Sequence, residues 1–277
     1  MLMPRTLLGV TGFPVAHSRS PAMHNAALAE LGLDWLYVAV PLSPELFEET
    51  VRALPGSGFR GLNVTVPHKA AAHGIADTRS RAAEAIGAAN TLTFGPEGKI
   101  EADNTDAGGL LDALGQPVAG LRALVLGAGG SARAVVWALI EAGAAEVSVW
   151  NRTPERAAQL AADLGARHVA LPGPADLLVN CTSVGLGGSV DAAEGQAALG
   201  LDGIAPPATV VDLVYGARPT PVVAWARAGG SRVVEGLEVL VRQGARSLEW
   251  WTGSDAPIET MRRAAAGPDG EKGAGGT

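Results

Sequence analysis

The sequence predicts an α/β protein of two domains: an N-terminal, mostly parallel α/β sheet domain, then a second α/β domain, with a C-terminal helix returning to the first. Three observations carry this. The chain has 277 residues, more than one hydrophobic core usually serves. Over the first hundred residues, apolar strand-like runs alternate with helical stretches. Near residue 122 a second alternation begins, built around a glycine-rich turn.

Taken in order, "LLGVTG" reads as a strand and "SPAMHNAALAELG" as a helix capped by Ser20 ahead of Pro21. "WLYVAV", the helix "SPELFEETVRAL" and the strand "GLNVTV" complete a βαβαβ pattern, and an amphipathic helix starts near Lys69. After a further helical stretch near Ser80 to Ile86, "ANTLTF" and "KIEAD" flank Gly95-Pro96-Glu97-Gly98 as a hairpin expected at the sheet's edge. "NTDAGGLLDAL" then starts a helix, with Asn104 or Thr105 as its cap. These elements place the first domain at 1–103 plus 238–265 and the second at 104–237. The second domain has strands at "ALVLG" and "EVSVW", with helices between and after them. "LLVNCT", "ATVVDLVY" and "SRVVEG" extend it to a doubly wound sheet. Leu237 to Ala265 reads as helical, and 266–277 as a disordered tail.

Composition excludes several classes. A hydrophobic fraction of 47% with 18% charged residues is that of a globular chain. No apolar run approaches the roughly 20 residues of a membrane span, and the N-terminus lacks the pattern of a secretion signal, so no membrane association and a cytoplasmic location are expected. The single Cys181 cannot form an internal disulfide and reads as a small buried residue. No His/Cys cluster has metal-ligand spacing. A net charge of −7 without clustered basic residues argues against nucleic acid as a partner.

"GAGGSAR", Gly127 to Arg133, follows an apolar strand and opens a helix. Gly127, Gly129 and Ala132 fill the G-x-G-x-x-G/A dinucleotide fingerprint, with Ala128, Gly130 and Ser131 between them. Glycines let the backbone approach a pyrophosphate, and the amides at the helix N-terminus meet its charge. The second domain is therefore expected to be Rossmann-type. Its next strand ends in Asn151, Arg152 and Thr153 rather than in an acid, and Arg156 lies a turn beyond. No carboxylate repels a 2′-phosphate there, and two guanidiniums can meet one, so NADP is favoured over NAD.

A redox enzyme also needs a group that moves a proton at the reacting oxygen. Only three of the 21 basic residues are lysine, and one of them, Lys69, follows a strand of the first domain. Lysine can give up a proton where arginine cannot. Asp106, also just after a strand, can hold that ammonium in place. Near them stand neutral hydrogen-bonding residues, Ser18, Ser20, Asn63, Thr65 and Asn90, a set suited to a small polyhydroxylated ligand. His68 reads as a packed or half-exposed neighbour of the helix start.

Together these motifs resemble the shikimate dehydrogenases. "GFPVAHSRSPAMHN", "NVTVPHK", "GAANT", "NTDAGG", "GAGGSARA" and "NRTPERA" occur here in the family's order across nearly the whole chain. The resemblance implies NADPH-dependent, reversible reduction of 3-dehydroshikimate at its C3 carbonyl, in aromatic amino acid biosynthesis. It implies that Lys69 and Asp106 form the catalytic pair and that the site lies between the domains. Ser18 and Ser20 would take the substrate carboxylate, and Asn63, Thr65, Asn90 and Gln243 the hydroxyl side, with Tyr215 lining the site. Gly127 to Ala132, Asn151, Arg152, Thr153 and Arg156 would hold NADP, and Thr182, Ser183, Leu213 and Gly236 would approach it. A monomer or homodimer is expected. The alternatives are a dehydrogenase acting on both quinate and shikimate, and an NADP-binding sensor without turnover.

Overall fold

The computed structural model describes residues 6–188, 190–216 and 218–267; of the tail expected at 266–277, the part past Gly267 lies outside the described residues. The chain divides into two compact units, one of residues up to Gly109 and from Val241 onward, the other of Leu110–Leu240. The crossings fall inside two helices, at 109/110 and 240/241, where the sequence pattern puts them at 103/104 and 237/238.

The first unit is built from β1 (Thr6–Gly12), α1 (Ser20–Glu30), β2 (Trp35–Pro41), α2 (Phe47–Ala53), β3 (Phe59–Val64), α3 (Lys69–Ile75), β4 (Thr78–Arg79), α4 (Arg81–Ile86), β5 (Thr91–Phe94), β6 (Ile100–Asp103) and the start of α5 (Thr105–Leu114). Its six strands run in the order β2-β1-β3-β5-β6-β4. β1 is parallel to β2 and β3, whereas β5 is antiparallel to both β3 and β6. The hairpin thus forms as expected but not at the edge, because the two-residue β4 pairs beyond β6. In this register Asn63 lies opposite Thr91, and Thr91 opposite Asp103. The C-terminal ends of β3 and β6 and the N-terminal end of β5 therefore share one end of the sheet.

Leu62, Leu92 and Ile100 are among the side chains buried on this sheet. Each contributes roughly 1.5–3 kcal/mol relative to an exposed position.

In the second unit β7 (Arg122–Leu126), α6 (Gly130–Glu141), β8 (Glu146–Trp150), α7 (Pro154–Leu164), β9 (Arg167–His168), β10 (Leu177–Asn180), α8 (Ala192–Ala198), β11 (Thr209–Asp212), α9 (Pro221–Ala228) and β12 (Arg232–Glu235) form a sheet ordered β12-β11-β10-β7-β8-β9. Every pairing in it is parallel, as the alternating pattern predicts for a doubly wound sheet. Val125, Val149, Val179 and Val211, one from each of four neighbouring strands, lie in its core.

The C-terminal helical segment is two helices rather than one, α10 (Gly236–Thr252) and α11 (Ile258–Ala266). Gly253 takes φ +68° and ends α10, and Pro257 stands at the cap of α11, so the chain turns between them. α11 packs on α1, which returns the C-terminal segment to the first unit. α10 is seated by Trp251, whose indole N–H donates to the Leu92 carbonyl over 3.1 Å. Gly61 makes room for that ring, since a Cβ there would stand 2.5 Å from Trp251 Cε2.

Candidate active site

The first turn of α3 is anchored by its cap residue. The His68 ring stacks on Phe47 with centroids 4.5 Å apart, and its Nε2 lies 2.8 Å from the Leu42 carbonyl oxygen, so that nitrogen carries the hydrogen. His68 is thus a packed structural residue. The next residue is Lys69, which is 8% exposed and so not a surface charge. Its Nζ lies 2.5 Å from Oδ2 of Asp106, on the first turn of α5. The other carboxylate oxygen, Oδ1, accepts from Asn90 Nδ2 at 2.8 Å. A carboxylate near a helix N-terminus also sits favourably in the helix dipole. A buried ion pair contributes little to stability for its desolvation cost.

A buried polar network surrounds the pair. Asn63 accepts the Tyr37 hydroxyl hydrogen on Oδ1 at 2.8 Å, which aims its Nδ2 at the Asn90 carbonyl, Thr91 Oγ1 and Ser247 Oγ. Gln243, on α10, accepts from Asn90 Nδ2 at 3.1 Å. Thr65 is half-buried and donates its N–H to the Thr11 carbonyl at 2.9 Å. Ser20 is corrected from its expected role as the cap of α1. It is the first residue inside that helix, with Arg19 at the cap position, and its own N–H donates to Ser18 Oγ at 3.2 Å. The helix thus begins one residue earlier than Ser-Pro spacing suggests, with no side-chain hydrogen bond from its cap residue.

Within this unit, then, Lys69, Asp106, Asn63, Asn90 and Gln243 converge. Tyr37, Thr91, Thr105 and Ser247 complete the network and were not expected there. The repeated Asn-Thr pair at 90–91 and 104–105 is the sequence signal that points to two of them.

In the second unit the glycine-rich turn has the shape a dinucleotide requires. Gly127 has φ +113°, and a Cβ on it would stand 3.1 Å from the carbonyl carbon of Cys181. Gly129 caps α6 in extended conformation with no side-chain hydrogen bond, and a Cβ on it would meet nothing within 4 Å. The turn thus leaves open space beside Gly129, while buried Ala132 lets α6 pack on the sheet. Ala128, Gly130 and Ser131 are half-buried around the same turn.

At the end of β8, Asn151 bridges to the Thr153 carbonyl at 3.0 Å, and Arg152, Thr153 and Arg156 are exposed. The two arginines and the open turn fit NADP. Past β10 the Thr182 hydroxyl donates to Asn180 Oδ1 at 2.8 Å, with Ser183 next to it. Gly236 lets α10 start against β11, a Cβ there falling 2.5 Å from the Leu213 carbonyl oxygen. Burial pushes the neighbouring Asp212 carboxyl up, against the hydrogen bonds it takes from Thr220, Val214 and Asn180. Tyr215 is half-buried in this unit, lining a pocket with Arg218, Thr220 and Glu235. Cys181 is half-buried rather than buried, packing at the rim of the core. No helix among the described residues is long and apolar enough to cross a membrane, and none of their side chains cluster as a metal site.

The chain is similar to known proteins over most of its length. Residues 10–92 match the shikimate dehydrogenase substrate binding domain, 111–179 the shikimate/quinate 5-dehydrogenase model, and 236–266 the shikimate 5′-dehydrogenase C-terminal domain. A shikimate dehydrogenase (NADP(+)) of Anaeromyxobacter dehalogenans strain 2CP-1 is 44% identical, over 98% of this chain and 100% of the relative. The crystal structure of shikimate 5-dehydrogenase from Thermus thermophilus, in complex with NADP(H) and shikimate, superposes with a TM-score of 0.81 at 41% identity, covering 94% of this chain and 98% of that one. The ligand-free 5-ketofructose reductase of a Gluconobacter species has a TM-score of 0.79 at 29% identity, covering 95% and 98%.

Proposed function

The chain belongs to the shikimate dehydrogenase family, and from that premise we propose that it interconverts 3-dehydroshikimate and shikimate with NADP, in the cytoplasm, as a monomer or homodimer. The observation that carries the catalytic assignment is the buried Lys69–Asp106 pair.

In the reducing direction Lys69 gives a proton to the carbonyl oxygen as it gains electron density, and in the oxidising direction its amine takes the proton from the hydroxyl. Asp106 holds the ammonium at one angle and takes a substrate hydroxyl hydrogen through the same carboxylate. Ser18 and Ser20 meet the substrate carboxylate with neutral donors, and Asn63, Thr65, Asn90, Gln243 and Tyr215 meet the rest of the ring. The turn Gly127–Ala132 holds the pyrophosphate of NADP, with Asn151, Arg152, Thr153 and Arg156 on its 2′-phosphate side and Thr182, Ser183, Leu213 and Gly236 along the remainder. When bound, NADP supplies or accepts the hydride.

The test is the rate of nicotinamide reduction with shikimate or quinate, each paired with NADP or NAD. Turnover mainly with shikimate and NADP supports the proposal. Comparable turnover of quinate favours the dual-specificity reading, which the match to a shikimate/quinate model keeps in play. NADP binding without turnover of either alcohol would leave a sensor, for which a buried lysine–carboxylate pair has no use.

A further inference from the structure

We propose that Thr105 is a positioning residue that fixes the Asn90 amide in the one orientation that holds Asp106 for catalysis. The inference rests on the reading of Asp106 as Lys69's partner.

Asn90 Oδ1 accepts the Thr105 N–H at 2.7 Å and the hydroxyls of Thr91 and Thr105 at 3.1 Å each. Its Nδ2 therefore faces the other way, to Asp106 Oδ1 at 2.8 Å and Gln243 Oε1 at 3.1 Å. Rotating the amide by half a turn would set its NH2 against the Thr105 N–H and its oxygen against the Asp106 carboxylate. Both contacts would then be repulsive, so the site has one amide orientation.

Thr105 is the residue on which this depends most. It is 4% exposed and is joined by a peptide bond to Asp106. Its backbone N–H makes the shortest contact on Asn90 Oδ1 and so sets which end of the amide faces it, while its hydroxyl sits across the amide edge, 3.1 Å from Oδ1 and 3.0 Å from Nδ2. That hydroxyl also neighbours two others, 3.2 Å from Thr91 Oγ1 and 3.1 Å from Ser247 Oγ, with Thr91 and Ser247 2.8 Å apart and Ser247 Oγ also 3.1 Å from the Gln243 carbonyl oxygen. The three hydroxyls bring β5, α5 and the sequence-distant α10 to one amide plane. Asp106 then has both carboxylate oxygens engaged, one by Asn90 and one by Lys69.

Thr105→Val keeps the shape and removes the O–H, whereas Thr105→Ser keeps it. With folding checked by circular dichroism, Thr105→Val is expected to lower kcat about tenfold, the scale of one buried hydrogen bond, and Thr105→Ser to stay within about twofold of the parent. In an Asp106→Asn background, Thr105→Val is expected to change kcat by less than about twofold, because the two act as one unit. An unchanged kcat in Thr105→Val with only a lower melting temperature would overturn the proposal, and so would a tenfold loss that multiplies fully with Asp106→Asn. Should Thr105→Val not fold, Thr91→Val removes the other hydroxyl on the same amide oxygen and is read by the same two comparisons. Full kcat in Asp106→Asn alone would overturn the underlying reading of Asp106 instead.

Discussion

Gly109 and Gln243 are in backbone-to-backbone contact: a Cβ built on Gly109 would stand 2.6 Å from both Cβ and the backbone nitrogen of Gln243. The closeness of α5 and α10 at this point brings Gln243 to Asn90. At the preceding position, a Cβ on Gly108 would likewise run into the Arg246 guanidinium, 2.6 Å from its Cζ. Glycine here is thus a packing requirement rather than a turn requirement.

Gly109→Ala should therefore push the two helices apart. An added methyl in a packed interface costs about 1–3 kcal/mol, and the shift should carry Gln243 away from the substrate side. The expected result is a lower melting temperature together with a KM for shikimate raised more than kcat is lowered. Unchanged KM would show that Gln243 does not bind the substrate.

Lys69→Ala should lower kcat by about 10²–10⁴-fold, the range for loss of a general acid–base, while KM for shikimate changes a few-fold. Lys69→Arg keeps the charge against Asp106 but cannot readily release a proton, so it should not restore turnover. Steady-state kinetics with a saturating nicotinamide measures both. Equal losses in kcat and substrate affinity would make Lys69 a binding residue only.

Much of this was legible in the sequence, for identifiable reasons. The alternation of strand and helix follows from apolar periodicities that hold within each segment, so both sheets could be foreseen. Lys69 stood out because lysine is so rare in this chain. What escaped was of two kinds. β4 and β9 are two residues long, too short for any periodicity. The contacts of Ser247 with Asn63 and of Tyr37 with Asn63 depend on segments meeting across the fold, the first over 184 residues, and nothing local to Ser247 or Tyr37 announces them. A single glycine, Gly253, is also a weak stop signal for so long a helical pattern, and the two helices on either side of it read as one stretch.

His24 gives a prediction about acid stability. It is wholly buried, stacked on Tyr37 with centroids 4.2 Å apart and planes 4° apart, and neither ring nitrogen has a hydrogen-bond partner. Burial pushes its pKa from 6.5 down to about 3. The unfolded chain therefore takes a proton below pH 6.5 that the folded chain refuses. The stabilisation is complete above pH 6.5 and is lost progressively as the pH falls toward 3. At pH 4.5 this one group should cost about 3 kcal/mol relative to pH 7. His24→Phe keeps an aromatic ring against Tyr37 and cannot titrate, so its stability gap between the two pH values should shrink by about that amount. Urea unfolding at pH 7 and 4.5 measures it, and an equal gap in both proteins would place the acid sensitivity elsewhere.

The choice of nicotinamide should rest on Arg152 and Arg156. Both are exposed, Arg152 just past the end of β8 and Arg156 in the first turn of α7. Their work in the free protein is not structural, since an exposed guanidinium contributes little to folding. A 2′-phosphate changes this, because each guanidinium can make charge-assisted hydrogen bonds to it worth about 1.5–3 kcal/mol. NAD has only a hydroxyl there and should gain almost nothing. The double variant Arg152→Ala/Arg156→Ala is therefore expected to raise KM for NADP by more than about 100-fold and to leave KM for NAD within about twofold, with the melting temperature unchanged. The NADP dependence on salt should weaken in parallel, since two of the charges that attract the phosphate are gone. An equal rise in KM for both nucleotides would instead assign these arginines to the shared pyrophosphate or adenine, and the preference for NADP would have to come from Asn151 and Thr153.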